Sequence, residues 1–158
     1  GFITSGLEIW QGEECAQQYF RQRIWGTTRM LHTFLTDQAC WLRHMAMDHR
    51  TGMDPPNIKL RAAQGLEAAD FVIGAYWVSR SQISKNNLAD IGYTSTEMFL
   101  ASYDWRLAPS LLESRDRYMT RLMRHIELEY EASGRPVVIL AHSYGSTVVK
   151  YFLNWVES

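Results

Sequence analysis

Apolar residues in the last third of the chain recur with a helical period. Leu111, Leu112, Tyr118, Met119, Leu122, Met123, Ile126 and Tyr130 are spaced for one buried face. Ser110-Leu111-Leu112-Glu113 opens this predicted helix as a capping box, and Gly134 with Pro136 stops it. The pattern then changes to an unbroken apolar run of strand length, Val137-Val138-Ile139-Leu140-Ala141. Beyond Ser143 the helical spacing returns, with Val148, Val149, Phe152, Leu153 and Val156 facing inward. Upstream, residues 98–103 are a short apolar strand candidate, broken by Asp104-Trp105-Arg106. Strand, long helix, strand, turn, helix predicts a right-handed βαβα run and a parallel sheet. The fold class expected is α/β.

The first half is less regular. Residues 15–41 alternate aromatic and basic positions (Tyr19, Phe20, Arg21, Arg23, Trp25, Arg29, His32, Phe34), which fits one or two short helices with apolar groups that do not all face a core. The pattern alone leaves those aromatics open between core and interface. Thr51-Gly52-Met53-Asp54-Pro55-Pro56 is a strong breaker. Residues 57–63 read as a short edge strand, 65–87 as helix and connection, and 88–93 as a helix ended by Gly92 at C′. No internal repeat or low-complexity stretch interrupts the chain.

The chemistry concentrates at the junction of the apolar run and the last helix. Ala141-His142-Ser143-Tyr144-Gly145 is a small-X-Ser-X-Gly turn between a strand pattern and a helix pattern. That layout describes the nucleophile elbow of an α/β-hydrolase fold, in which a strained turn presents a serine Oγ above the sheet. Small residues two before and two after the serine let strand and helix pass closely. The helix N-terminus aims free N–H groups and a positive dipole end at the reaction centre. The competing reading of the same residues is an ordinary strand–turn–helix crossover with a surface serine.

Composition narrows the field further. A chain of 158 residues with 46% hydrophobic and 13% aromatic residues supports one globular domain and argues against disorder. A formal net charge of −1 with mixed signs leaves no basic stripe for nucleic acid. No apolar run has the length of a membrane span, and no signal-peptide pattern opens the chain. Cys15 and Cys40 lack metal-ligand spacing; on composition they are free and buried or bridged to each other.

Collinear segments then carry a resemblance: Ser5-Gly6-Leu7-Glu8-Ile9-Trp10, Phe20-Arg21-Gln22-Arg23-Ile24-Trp25-Gly26, Cys40-Trp41-Leu42-Arg43-His44, the 51–56 breaker, Ala101-Ser102-Tyr103-Asp104-Trp105-Arg106-Leu107 and His142-Ser143-Tyr144-Gly145. In these the chain resembles the lecithin:cholesterol acyltransferase family, and within it the fungal branch that passes a fatty acyl group from phospholipid to diacylglycerol. The resemblance implies that residues 1–158 are the N-terminal portion of an α/β-hydrolase catalytic domain, with 15–40 as a lid loop and 98–158 as strand, helix, strand, elbow and helix. It implies Ser143 as the nucleophile and the backbone N–H groups of Tyr144 and Phe2 as oxyanion donors. Cys15 and Cys40 match the cysteines that bridge the family's lid. Trp25 falls where family members carry an exposed, lipid-facing lid tryptophan, and Asp104 with Arg106 falls in a Tyr-Asp-Trp-Arg segment that braces the site.

The implied reaction uses phospholipid and diacylglycerol at a membrane surface and calls for no coenzyme A, metal or nucleotide. The implied setting is the lumenal side of the endoplasmic reticulum, with any anchor upstream of Gly1. Two departures from the family pattern stand out: Ala141 in place of glycine, and Tyr144 in place of the usual Met or Leu. This fold takes its triad in the order Ser, acid, His, so the acid and the base are expected beyond Ser158 and the chain alone is expected to be inactive. His32, His44, His49 and His125 precede the serine, and His142 adjoins it; none is in the expected order. A lipase or phospholipase of the same fold and a non-catalytic lipid-binding remnant are the alternatives.

Overall fold

Leu7-Glu8-Ile9-Trp10-Gln11 buries Leu7 and Ile9 and turns Trp10 outward, and it forms the middle strand of a three-stranded antiparallel sheet. The computed structural model describes residues 5–25, 27–69 and 86–158. These fall into two compact units that part between Asp104 and Trp105.

In the first unit, β1 (Leu7–Gln11) pairs on one edge with β2 (Arg23–Trp25) and on the other with β3 (Lys59–Ala62). Leu7 lies opposite both Trp25 and Ala62, and Ile9 lies opposite Leu60. This register puts Leu7, Ile9, Ile24 and Leu60 together inside, each essentially without solvent exposure. Burying side chains of that size is worth about 1.5–3 kcal/mol each. Trp10 points the other way and is capped by the Arg21 guanidinium, 5.2 Å from its ring centre. The chain returns from β1 through a 3-10 turn at Glu14–Tyr19. Two short helices follow β2: α1 (Thr28–Thr36) and α2 (Gln38–Met45). Asp37 separates them and caps α2, accepting the Cys40 N–H at 3.0 Å.

The breaker behaves as its residues dictate. Gly52 has a φ of 69° and donates its N–H to the Asp48 carbonyl at 2.8 Å. Asp54, almost sealed from solvent, accepts from the Leu60 N–H at 3.1 Å and from Arg61 Nη1 at 2.6 Å, which fixes the start of β3. The edge strand expected over 57–63 is therefore present, trimmed to four residues. Residues 86–90 are helical, and Gly92 (φ 102°) closes them. The Tyr93 N–H reaches the Leu88 carbonyl and the Gly92 N–H the Ala89 carbonyl, the pair of bonds of a Schellman end. Most of the helix-and-connection expected over 65–87 lies outside the described residues; inside them, Leu66–Ala69 is a 3-10 turn.

In the second unit the single long helix expected over 110–133 is two helices. The first, α3 (Pro109–Asp116), begins with Ala108 as N-cap and Pro109 in its first turn, so Ser110 sits too far in to cap. Arg117, in the left-handed conformation (φ 53°, ψ 35°), separates it from α4 (Tyr118–Ser133). The capping-box glutamate serves the second helix instead. Glu113 accepts from the Thr120 N–H at 3.0 Å and from Thr120 Oγ1 at 2.6 Å. Gly134 ends α4 with a φ of 65°, as expected, and α5 (Tyr144–Glu157) is the last element. Leu107, Leu112, Tyr118, Met119, Leu122, Val148 and Phe152 are the buried side chains here.

The expected parallel sheet is not present among the described residues. Residues 98–103 and 137–141 belong to no strand ladder. Val138 and Leu140 are 75% and 70% exposed. A continuous apolar run is the signature of a strand covered on both faces, and pairing of that kind needs neighbours on both edges. What is observed is a set of helices with one small antiparallel sheet, an α/β composition without a parallel ladder.

Candidate active site

Ser143 is the residue on which the local backbone converges. It is the N-cap of α5 with φ 58° and ψ −131°, a region that glycine occupies freely and other residues rarely do. Holding a serine there costs about 1–3 kcal/mol. The turn is closed locally by the Gly145 N–H on the His142 carbonyl at 3.0 Å and the Ser146 N–H on the Ser143 carbonyl at 2.9 Å. Ser143 is exposed, and so is His142 beside it. Within the first turn of α5, the Gly145 and Ser146 N–H groups are thus engaged by the His142 and Ser143 carbonyls.

Tyr144 is the first residue of α5. Its side chain is half-buried, and its hydroxyl donates to the Leu107 carbonyl at 3.1 Å. Burial raises the phenol above its ordinary pKa, so it stays protonated and remains a donor. Phe2, the other expected oxyanion donor, lies outside the described residues.

Asp104 is fully buried and Arg106 half-buried; neither side chain is without an interaction. Just before them, Ser102 Oγ donates to the Ala63 carbonyl and Tyr103 is buried, which ties this segment to the end of β3. Residues 98–103 are thus anchored by side chains rather than by a strand ladder.

The 15–40 segment is closed by a Cys15–Cys40 disulfide, with Cα atoms 6.4 Å apart and a sequence separation of 25. Closing a loop of that length stabilises the folded chain by about 3.5 kcal/mol. Trp25 is half-buried, stacked on Trp41 at 6.3 Å, and Phe34 meets Trp41 edge-on at 5.3 Å. The tryptophan expected to be exposed is therefore partly covered by a second one. Leu31, Phe34 and Leu35 on α1 and Leu42 on α2 do reach solvent, Leu35 at 78%.

Sequence reasoning did not single out His44, which is buried beneath the disulfide. Its Nε2 accepts the Glu13 N–H at 3.2 Å, so the ring proton sits on Nδ1, 2.8 Å from the Cys40 carbonyl. The signal was present in the spacing: Cys40 and His44, four apart, share a face of one helix. A Cβ on Gly12 would come within 3.1 Å of this ring, which explains the glycine there. Cys15, Cys40 and His44 are the one cluster with metal-ligand spacing among the described residues. Both sulfurs are spent on each other and both ring nitrogens are engaged, so in this state the cluster is a structural clasp.

The chain is 49% identical over 158 residues to the phospholipid:diacylglycerol acyltransferase of Schizosaccharomyces pombe, matching all of this chain and 25% of the relative. The enzyme of the same name from Saccharomyces cerevisiae is 46% identical over 162 residues, again across the whole chain and 24% of the relative. An Arabidopsis thaliana protein named putative phospholipid:diacylglycerol acyltransferase 2 is 42% identical, over the whole chain and 23% of the relative. The chain thus spans about a quarter of the length of these curated relatives. Residues 19–158 match the family described as lecithin:cholesterol acyltransferase. The chain belongs to the lecithin:cholesterol acyltransferase family.

Proposed function

We propose that this chain is the nucleophile-bearing part of an acyltransferase that moves a fatty acyl group from a phospholipid to diacylglycerol. The observation that carries the chemistry is the backbone of Ser143, an exposed serine in a glycine-like conformation at the N-terminus of a 14-residue helix. In this reading residues 137–149 are a nucleophile elbow of an α/β-hydrolase fold. The Ser143 hydroxyl loses its proton to a histidine base and attacks the ester carbonyl of the phospholipid. The N–H groups of Tyr144 and Phe2 hold the oxyanion as the tetrahedral intermediate forms. Lysophospholipid leaves, and the diacylglycerol hydroxyl then attacks the acyl-serine ester to give triacylglycerol. The base and its orienting acid come from elsewhere in the full-length protein. Asp104 and Arg106 are structural support in this reading. Nothing in this sequence of steps calls on coenzyme A or a metal ion.

The 15–40 segment is the lid in this reading. Its disulfide fits an oxidising compartment such as the lumen of the endoplasmic reticulum. Trp25 and the exposed apolar residues of α1 meet the membrane, and closure over the acyl-enzyme keeps water out so that transfer outruns hydrolysis. No helix among the described residues is long and apolar enough to cross a membrane.

The test is full-length protein in mixed micelles of phospholipid and diacylglycerol. Triacylglycerol and lysophospholipid should form in equal amounts, and Ser143→Ala should lower the rate about ten-thousand-fold or more. Release of free fatty acid with no triacylglycerol would overturn the transferase assignment. An active Ser143→Ala protein would remove the serine from the mechanism.

A further inference from the structure

Tyr144 departs from the residue its family resemblance leads one to expect, and its side chain has a definite job in the structure. The Ser143 conformation is costly, so contacts around it must hold it in place. The two backbone bonds that close the turn span only three residues each, and they move with the turn. The Tyr144 hydroxyl reaches across 37 residues to the Leu107 carbonyl at 3.1 Å. Leu107 is buried, so its position is fixed by the packing of its own side chain. Tyr144 is also the residue whose backbone N–H stands first in α5.

We propose that Tyr144 is a positioning residue: its phenol ties the start of α5 to the Leu107 carbonyl and so sets the height and direction of its own N–H over the Ser143 oxygen. This rests on the reading of Ser143 as nucleophile. The side chain thereby contributes to oxyanion stabilisation without touching substrate. A displacement of a fraction of an ångström at an oxyanion donor is felt in the transition state and hardly at all in ground-state binding. Loss of the hydroxyl should therefore act on kcat and spare KM.

The experiment compares full-length wild type with Tyr144→Phe, which removes one oxygen and keeps the ring. A serine-directed phosphonate, whose tetrahedral oxyanion needs the donor, reports the transition state; a non-cleavable ether phospholipid reports ground-state binding. Tyr144→Phe should be labelled about tenfold more slowly and show a matching fall in kcat, with KM and ether-lipid affinity within about twofold of wild type. Equal labelling rates in the folded variant would overturn the proposal. So would equal losses of labelling, ether-lipid affinity and Tm, which would mark a merely structural tie. Wild type and Ser143→Ala serve as the control: absence of a label on wild-type Ser143 would sink the nucleophile reading itself, whereas labelling of wild type and Tyr144→Phe at one rate would sink only the tie.

Discussion

Each of the two units is held together internally, and by bonds of different reach. Up to Asp104 the ties are long: Leu7 against Ala62, Cys15 to Cys40, Glu13 to His44, Ser102 to Ala63. From Trp105 onward most are helical and local, and the long tie from Tyr144 to Leu107 stands out against them. Long ties fix a surface whose parts come from distant stretches of chain, which suits a lid and its hinge. Local ties fix the helices from Trp105 onward, and the long tie from Tyr144 adds an anchor at the start of α5. The two units are thus each stabilised by different means.

That contrast can be broken at its strongest point. Replacing Cys15 and Cys40 by alanine should cost about 3.5 kcal/mol, confined to the first unit. Hydrogen exchange on the full-length protein should show faster exchange in β1 and α2 and unchanged protection in α4 and α5. Equal loss in both units would erase the distinction. Asp54→Ala should cost about 2–3 kcal/mol, because it leaves the Leu60 N–H without its acceptor and Arg61 without its counter-ion, though part of Arg61 still reaches water. Limited proteolysis should find the new weak point between residues 50 and 60.

The smallest effect sharpens the comparison from the other side. At Glu113 burial pushes the carboxyl pKa up, but the two Thr120 hydrogen bonds and the Arg117 charge outweigh it, and the net shift is down. A carboxylate with a depressed folded pKa stabilises above its unfolded value, near 4.5, and the gain is lost as pH falls through the folded value. Glu113→Ala should cost about 1 kcal/mol at neutral pH and less as the medium is acidified into that range. The loss should appear as fraying between α3 and α4, with the sheet unaffected.

The same contrast decides what could be read from the residues. Tyr118 to Ser133 and Tyr144 to Glu157 announce themselves, because a helix is written in neighbours three and four apart. The Gly92 and Gly134 ends were legible for the same reason. The break at Arg117 was not, since a single left-handed arginine leaves the apolar spacing almost intact. Strands β1 and β2 were missed: five and three residues carry little alternation, and their partners lie far along the chain. Residues 137–141 were expected to pair and do not, because a doubly covered strand is defined by neighbours on both edges and none of the described residues supplies them. The serine turn was legible because its small neighbours are a local steric demand. The cysteine pairing was open on composition, and the structure joins the two.

The backbone of Ser143 has a consequence for the history of such a protein. A chain selected only to fold would carry glycine at that position, relieving about 1–3 kcal/mol of strain. Any survey of variants that scores yield or solubility alone would then rank Ser143→Gly as an improvement. On the proposed reading of Ser143 as nucleophile, only a screen that counts product would keep the serine.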